Sequence, residues 1–227
     1  MRAVSEGEDF LMTGIMPWVT SAQKADYIVS GAVLPDGQQF LTCIDTKSEG
    51  LRVEEPIELL ALTGSLTSAV QCEGLRVTRN ELMRGPMEKA LGRRSTVKSL
   101  TVSSCGIGMA GALLDRCQAL TQKTPALAEL VQGPILQRYE RVRRRFYLAA
   151  DSLNDQAAEI SAMDIRVEVN DLVSRLALTL MNVLKGSGYV ATHPGQRLVR
   201  EAMFFLVWSA PVSVQANTLS RMWGDVS

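Results

Sequence analysis

The apolar period of this 227-residue chain changes once, near Arg94, and that change limits what it can fold into. Before it, apolar residues alternate with polar ones and turn signals interrupt the runs. Asp26 to Leu34 reads as a strand, Pro35-Asp36-Gly37 as a turn, and Phe40 to Asp45 as the returning strand of a hairpin. Ile57 to Leu62 and Ala69 to Val77 are further strand candidates, separated by Gly64-Ser65. Residues 8–78 are therefore β-rich. Arg79 to Arg94, with Gly85-Pro86 and Gly92, reads as a connector.

After Arg94 the period becomes helical. Val97 to Leu120 predicts a helix with small residues on one side, at Ser104, Gly108, Gly111 and Ala112. Pro125, after Thr124, suits the first position of a second helix. Leu127, Val131, Ile135, Tyr139, Val142, Phe146 and Leu153 form its apolar stripe, and Gly133-Pro134 should kink or split it. In the third helix Ile165, Val169, Leu172, Val173, Leu176, Leu180 and Val183 recur at helical spacing, with Gly186 and Gly188 as its stop. Pro194 opens a fourth helix carrying Leu198, Ala202, Phe205 and Leu206, interrupted near Pro211. The expected class is α+β. A small β-barrel or sandwich (residues 1–78) leads through a connector (79–94) to an antiparallel four-helix bundle (95–227).

Composition narrows the function. The chain is 46% hydrophobic and 21% charged, as a folded protein is. Lys plus Arg equals Asp plus Glu at 24 each, with no basic half, which argues against nucleic acid. Cys43, Cys72, Cys105 and Cys117 form no Cys-x-x-Cys pair and the chain has one His, so no metal site is expected. Such cysteines suit buried thiols in a reducing compartment. Met1 to Asp9 has no apolar secretory core. Ala202 to Val214 is broken by Pro211 and falls short of the roughly 20 residues a membrane helix needs. The expectation is a cytoplasmic protein without a membrane span.

Two stretches carry chemistry. Trp18-Val19-Thr20 lies within Ile15 to Ala22, followed by Ala25-Asp26. In an extended strand, positions two apart share a face, so the Trp18 ring and the Thr20 hydroxyl both address one flat ligand. The second stretch runs from Asn182 through Lys185, Gly186 and Gly188 to Tyr189, then His193-Pro194 and Arg197 to Ala202. Glycine there permits close backbone approach.

In this order the two stretches resemble the acyl-CoA dehydrogenases, whose Trp-(Ile/Val)-Thr segment contacts the flavin. In that family a Gln-x-x-Gly-Gly-x-Gly turn before Arg-Asp-Ala meets the FAD of a neighbouring subunit. The resemblance covers nearly the whole chain, as the family's middle β domain plus its C-terminal helical domain. It implies Trp18, Val19 and Thr20 at the flavin, and Asn182, Lys185, Gly186 and Gly188 at a partner's FAD. It also implies a homo-oligomer, dimer or tetramer, joined through the helical bundle, and an acyl-CoA ligand. The family reaction is α,β-desaturation, in which a carboxylate removes the α proton while hydride passes to the flavin.

The departures shape the expectation. The family's N-terminal helical domain and the strand segment after it have no counterpart here. Counted from Arg200-Glu201-Ala202, the Tyr-Glu-Gly triplet that carries the base falls on Trp208-Ser209-Ala210, and Ser209 is no base near neutral pH. The alternative base position, on the first bundle helix, falls on Lys98. Lys123 to Ala128 lacks the Arg-x-x-Phe-Gly segment that grips the FAD pyrophosphate. Asn182 replaces the glutamine and Lys185 the first glycine.

Other features read more plainly. Arg141, Arg143, Arg144 and Arg145, interleaved with Val142 and Phe146, suit the solvated side of an amphipathic helix better than a phosphate site. His193 suits a loop position before a helix. Met203 to Trp208 suits a buried helix or subunit contact as well as an acyl-tail lining. The expected protein is thus a degenerate FAD-dependent oxidoreductase of CH–CH groups. The alternatives are a noncatalytic binding or assembly protein on the same bundle, and a flavin monooxygenase-like relative.

Overall fold

The computed structural model describes residues 1–91, 96–152 and 160–224. They form two compact units, Met1–Arg93 and Arg94–Ser227. Gly92, Arg94 and Leu153, named above, lie outside the described residues, as do the side chains of Val97 and Lys98.

The first unit is one seven-stranded sheet. Its strands are β1 (Arg2–Glu6), β2 (Asp9–Val19), β3 (Tyr27–Val33), β4 (Gln39–Asp45), β5 (Leu51–Pro56), β6 (Ser68–Val77) and β7 (Leu82–Met87). The order is β5-β6-β2-β1-β3-β4-β7, antiparallel except where β1 meets β3. β5 and β7 are edges with one partner each among the described residues, so the sheet is open, and the expected closed barrel or two-sheet sandwich does not form. The sheet has a well-defined inner side. Phe10 and Met12 of β2, Ala32 of β3, Phe40 and Ile44 of β4, and Leu75 and Val77 of β6 are all buried, as period-2 alternation requires. The rings of Phe10 and Phe40 meet at 4.8 Å between centroids.

The β3–β4 hairpin lies where the turn residues place it. Gly37 takes φ +86°, and Asp36 Oδ1 accepts the Gln38 N–H at 2.9 Å. Two readings of the β unit need revision. Ile57 to Leu62 is a loop, and the strand is instead the stretch before it, Leu51–Pro56. Pro56 has no N–H for the ladder and Leu62 takes φ +60°, outside strand geometry. The stretch from Arg79, read as a connector, contributes β7, which pairs with β4 around a cis Gly85-Pro86 bond.

The second unit contains α1 (Thr96–Thr121), α2 (Pro125–Leu130), α3 (Leu136–Asp151), α4 (Ala162–Leu184), α5 (Pro194–Met203) and α6 (Val212–Trp223). Pro125 occupies the first turn of α2, and α2 joins α3 through a π-turn at Val131–Ile135 where Gly133 leaves helical geometry. That is the kink expected at Gly133-Pro134. The anticipated fourth helix is two pieces, α5 and α6, parted at Pro211. Counting α2–α3 as one kinked helix, the unit has five helices among the described residues. α4 is central and packs against α1, α3, α5 and α6. Ile165, Val169, Leu172, Val173, Leu176, Ala177 and Leu180 are all at most 1% exposed, so the period-3.6 stripe does form the core. α1 runs in the same direction as α4, with Ser99 meeting Ala162 and Gly106 facing Val169, as the first and third helices of an up-and-down chain path do.

Candidate functional site

The β2 strand ends in an irregularity that controls Trp18. Met16 pairs with Val70, and Val19 pairs with Ser68, so two β2 residues, Pro17 and Trp18, stand against the single residue Ala69 of β6. Pro17 cannot donate to the ladder, and a bulge accommodates it. Met16 and Val19 face inward against Ala22, Ile28 and Val70, while Trp18 is 68% exposed and Thr20 is also exposed. Trp18 and Thr20 are thus both exposed, with a bulge at Pro17–Trp18 where simple alternation had been assumed and with Thr20 just past the strand end. The strand end is pinned just beyond. Ser21 takes φ +55°, and its N–H and hydroxyl both donate to the Ser65 carbonyl, at 2.8 and 3.1 Å. Among the described residues, nothing partners the Thr20 hydroxyl. An exposed indole and a hydroxyl without a partner thus lie at the strand end held by Ser21 and Ser65. An open cleft of about 470 Å3 along β5 and β6, lined by residues such as Glu49, Arg52, Gln71 and Arg76, includes none of Trp18, Val19 and Thr20.

The α4 terminus holds the second group. Asn182 is exposed, α4 stops at Leu184, and Lys185 takes φ +52°, ψ −141°. The break is thus made by Lys185, one residue before the glycines that had been read as the stop. Gly186 is exposed with open space where a Cβ would be. Gly188 is buried, and a Cβ there would lie 2.8 Å from Met181 Sδ and 3.0 Å from Leu184 Cβ. Its need for glycine is met by packing on α4 itself. His193 caps α5: its Nδ1 accepts the Gly195 N–H at 3.1 Å, which gives this residue a structural role. Trp18, Val19 and Thr20 sit in the first unit, and Asn182, Lys185, Gly186 and Gly188 in the second.

Ser209 is exposed at φ +48°, between the short turn Phe204–Leu206 and α6. Beneath it lies a residue that sequence reasoning missed. Arg166 of α4 is 2% exposed, and its Nη2 donates to the carbonyls of Phe205 at 3.0 Å and Trp208 at 2.8 Å. Its Nε and Nη1 have no partner among the described residues. Burial lowers its pKa to about 10. A charged residue one step from Ile165, between the apolar stripe positions Ile165 and Val169, was the available signal. The arginine run of α3 divides: Arg143 pairs with Glu140 and lies over the Tyr147 ring, and Arg145 pairs with Glu168. Arg141 and Arg144 are exposed. Among the described residues no cluster of His, Cys, Asp and Glu is placed to hold a metal ion, and no helix is long and apolar enough to cross a membrane.

No protein-family model matches the chain. A probable acyl-CoA dehydrogenase, YngJ of Bacillus subtilis (strain 168), is 20% identical over 237 residues, covering 97% of this chain and 62% of that protein. The short/branched chain specific acyl-CoA dehydrogenase of Bos taurus mitochondria is 22% identical, over 97% of this chain and 55% of its own length. The solved glutaryl-coenzyme A dehydrogenase complex with glutaryl-CoA superposes with a TM-score of 0.80 at 17% identity, over 98% of this chain and 62% of the other. The relatives point consistently to the acyl-CoA dehydrogenase family. The chain spans less than two thirds of the length of these dehydrogenases. Proteins of this family are FAD-dependent flavoproteins, and the chain has their fold.

Proposed function

We propose that the chain is an acyl-CoA dehydrogenase-like flavoprotein that binds FAD but is weak or inactive in acyl-CoA desaturation. The observation that carries the reading is the joint exposure of Trp18 and Thr20, two residues apart, at a pinned strand end. The donor set suits a flavin: the indole offers a stacking face, the Thr20 hydroxyl a hydrogen bond, and Val19 anchors both from the core side. When bound, FAD would supply hydride acceptance. Asn182, Lys185 and the open backbone at Gly186 would meet the FAD of a second copy of the chain, which makes the working form a homo-oligomer. Gly188 belongs to that turn as its packing residue.

The weak activity follows from Ser209. A hydroxyl lacks the proton affinity to take the α proton of a thioester near neutral pH. The exposed turn at Ser209 carries no carboxylate of its own, and the nearest buried charge, Arg166, is a cation.

The experiment is a spectrum and a titration. Purified protein should be yellow, or become so with FAD, and should quench flavin fluorescence saturably. Trp18→Ala should weaken FAD binding by about tenfold, equivalent to about 1.4 kcal/mol of lost stacking. Acyl-CoA substrates with an electron acceptor should give little or no turnover. A colourless, stable oligomer indifferent to FAD would instead establish the assembly-protein reading, and brisk turnover would refute the claim about Ser209.

A further inference from the structure

Asp171, a carboxylate with no exposed surface midway along α4, is ringed by arginines from three helices. It accepts from Arg138 of α3 at 2.5 Å and from Nε of Arg175 at 2.8 Å, and Nε of Arg221 on α6 stands 3.6 Å away. One turn earlier, Glu168 accepts from Nε of Arg145 at 3.0 Å and faces Arg221 at 3.9 Å. Four guanidiniums meet two carboxylates, which leaves an excess of two positive charges in one cluster. Helix stapling alone requires one guanidinium per carboxylate, and each further one adds like-charge repulsion. Arg145 and Arg175 are engaged only through Nε, and their terminal nitrogens have no partner among the described residues. The four arginine side chains are 36–47% exposed.

We propose that Arg138, Arg175 and Arg221, with Arg145 beside them, form a binding site for a doubly charged phosphoryl group. Guanidinium forks match phosphate oxygens geometrically, and the two carboxylates hold the forks in place before a ligand arrives. A dianion brings the cluster to neutrality. The site is separate from the Asn182 turn: Asp171 precedes it by about 16 Å along the helix at 1.5 Å per residue. It does not depend on the flavin reading.

The test is calorimetric titration of the full chain with inorganic phosphate at about pH 8, where it is mostly the dianion, at constant ionic strength and against chloride as control. Saturable binding of one equivalent is expected. Arg175→Gln should weaken it by about tenfold, the effect of one lost charge-assisted contact. Glu168→Gln raises the excess charge to three and should tighten it, an outcome that a purely structural ion network does not produce. Should Arg175→Gln not fold, Arg175→Lys keeps the charge, removes the fork and should also bind more weakly. Trp18→Ala should leave this titration unchanged. Adenosine monophosphate binding more tightly than inorganic phosphate would identify a nucleotide-borne group, and the reverse order a free one. Absence of saturable heat, or loss of affinity in Glu168→Gln, would overturn the site.

Discussion

Arg166 Nη2 lies 2.8 Å from the main-chain carbonyl of Trp208, so a buried cation on α4 holds the turn that leads to Ser209. The same nitrogen serves Phe205 O, and no carboxylate bonds to this guanidinium among the described residues. The turn geometry at Ser209 therefore rests on a side chain 42 residues before Trp208 in the chain.

Removing Arg166 separates two opposing effects. Arg166→Ala leaves both carbonyls unpaired and opens a void, for an expected loss of about 2–4 kcal/mol. Arg166→Met fills most of that volume and removes a desolvated cation, so it should lose clearly less. Urea denaturation of the two variants measures the difference. Equal losses would mean that the carbonyl contacts alone set the stability of this turn.

Two nearby glycines on α1 should respond oppositely to alanine. A Cβ at Gly106 would sit 2.4 Å from Val169 Cγ1, in the core between α1 and α4. Gly106→Ala should destabilise by about 1–3 kcal/mol through overpacking. Gly108 is exposed, with nothing within 4 Å of where an alanine methyl would sit, and Gly108→Ala should stabilise by about 0.5–1 kcal/mol through helix propensity alone. Thermal melts suffice to read the opposite signs.

What the sequence revealed depended on how local the cause was. The α4 stripe from Ile165 to Leu180 was legible because one helix period places all those residues on the core. The Pro17–Trp18 bulge was not legible, since it exists only in register with Val70 and Ser68. β5 was misplaced by six residues because Ile57 to Leu62 is the more apolar run, whereas Leu51 and Val53 alternating with Arg52 and Glu54 carry the strand pattern. Arg166 and Asp171 were not legible as partners of distant groups: Arg138 is 33 residues from Asp171, and only folding brings them together. The open edges at β5 and β7 likewise reflect pairing order, which strand patterns do not encode.

Lys185 holds a backbone conformation suited to glycine, φ +52° with ψ −141°. Such strain costs about 1–3 kcal/mol, while glycine's extra freedom in the unfolded chain costs about 0.5–1. Lys185→Gly should therefore stabilise by about 1 kcal/mol, and Lys185→Val should destabilise. The same residue tests the Asn182 turn: under the proposed function Lys185 meets the FAD, so Lys185→Gly weakens FAD affinity while it stabilises the fold, and a change at Gly186 to a bulky residue weakens it as well. Chemical denaturation and flavin titration on each variant give both readings.

The four thiols should separate by burial. Cys105 is exposed on α1, Cys43 is half-buried on β4, and Cys72 and Cys117 are buried. Desolvation raises the pKa of both buried thiols, Cys117 to about 11. A disulfide reagent at about pH 8 should thus modify Cys105 rapidly and Cys43 slowly, and reach the other two only in denaturant. The linkage sign follows from the same shift. Between about pH 9, where an unfolded thiol ionises, and about 11, the native state holds the Cys117 proton and the unfolded state releases it. Stability should therefore fall as pH rises through that window, by up to about 2–3 kcal/mol at roughly 1.36 kcal/mol per pKa unit, and be unaffected by this group below about pH 8. Cys117→Ala removes the titration, so the wild-type minus variant difference in unfolding free energy should slope downward only above about pH 9. A flat difference across the window would show that water reaches this thiol in the folded chain.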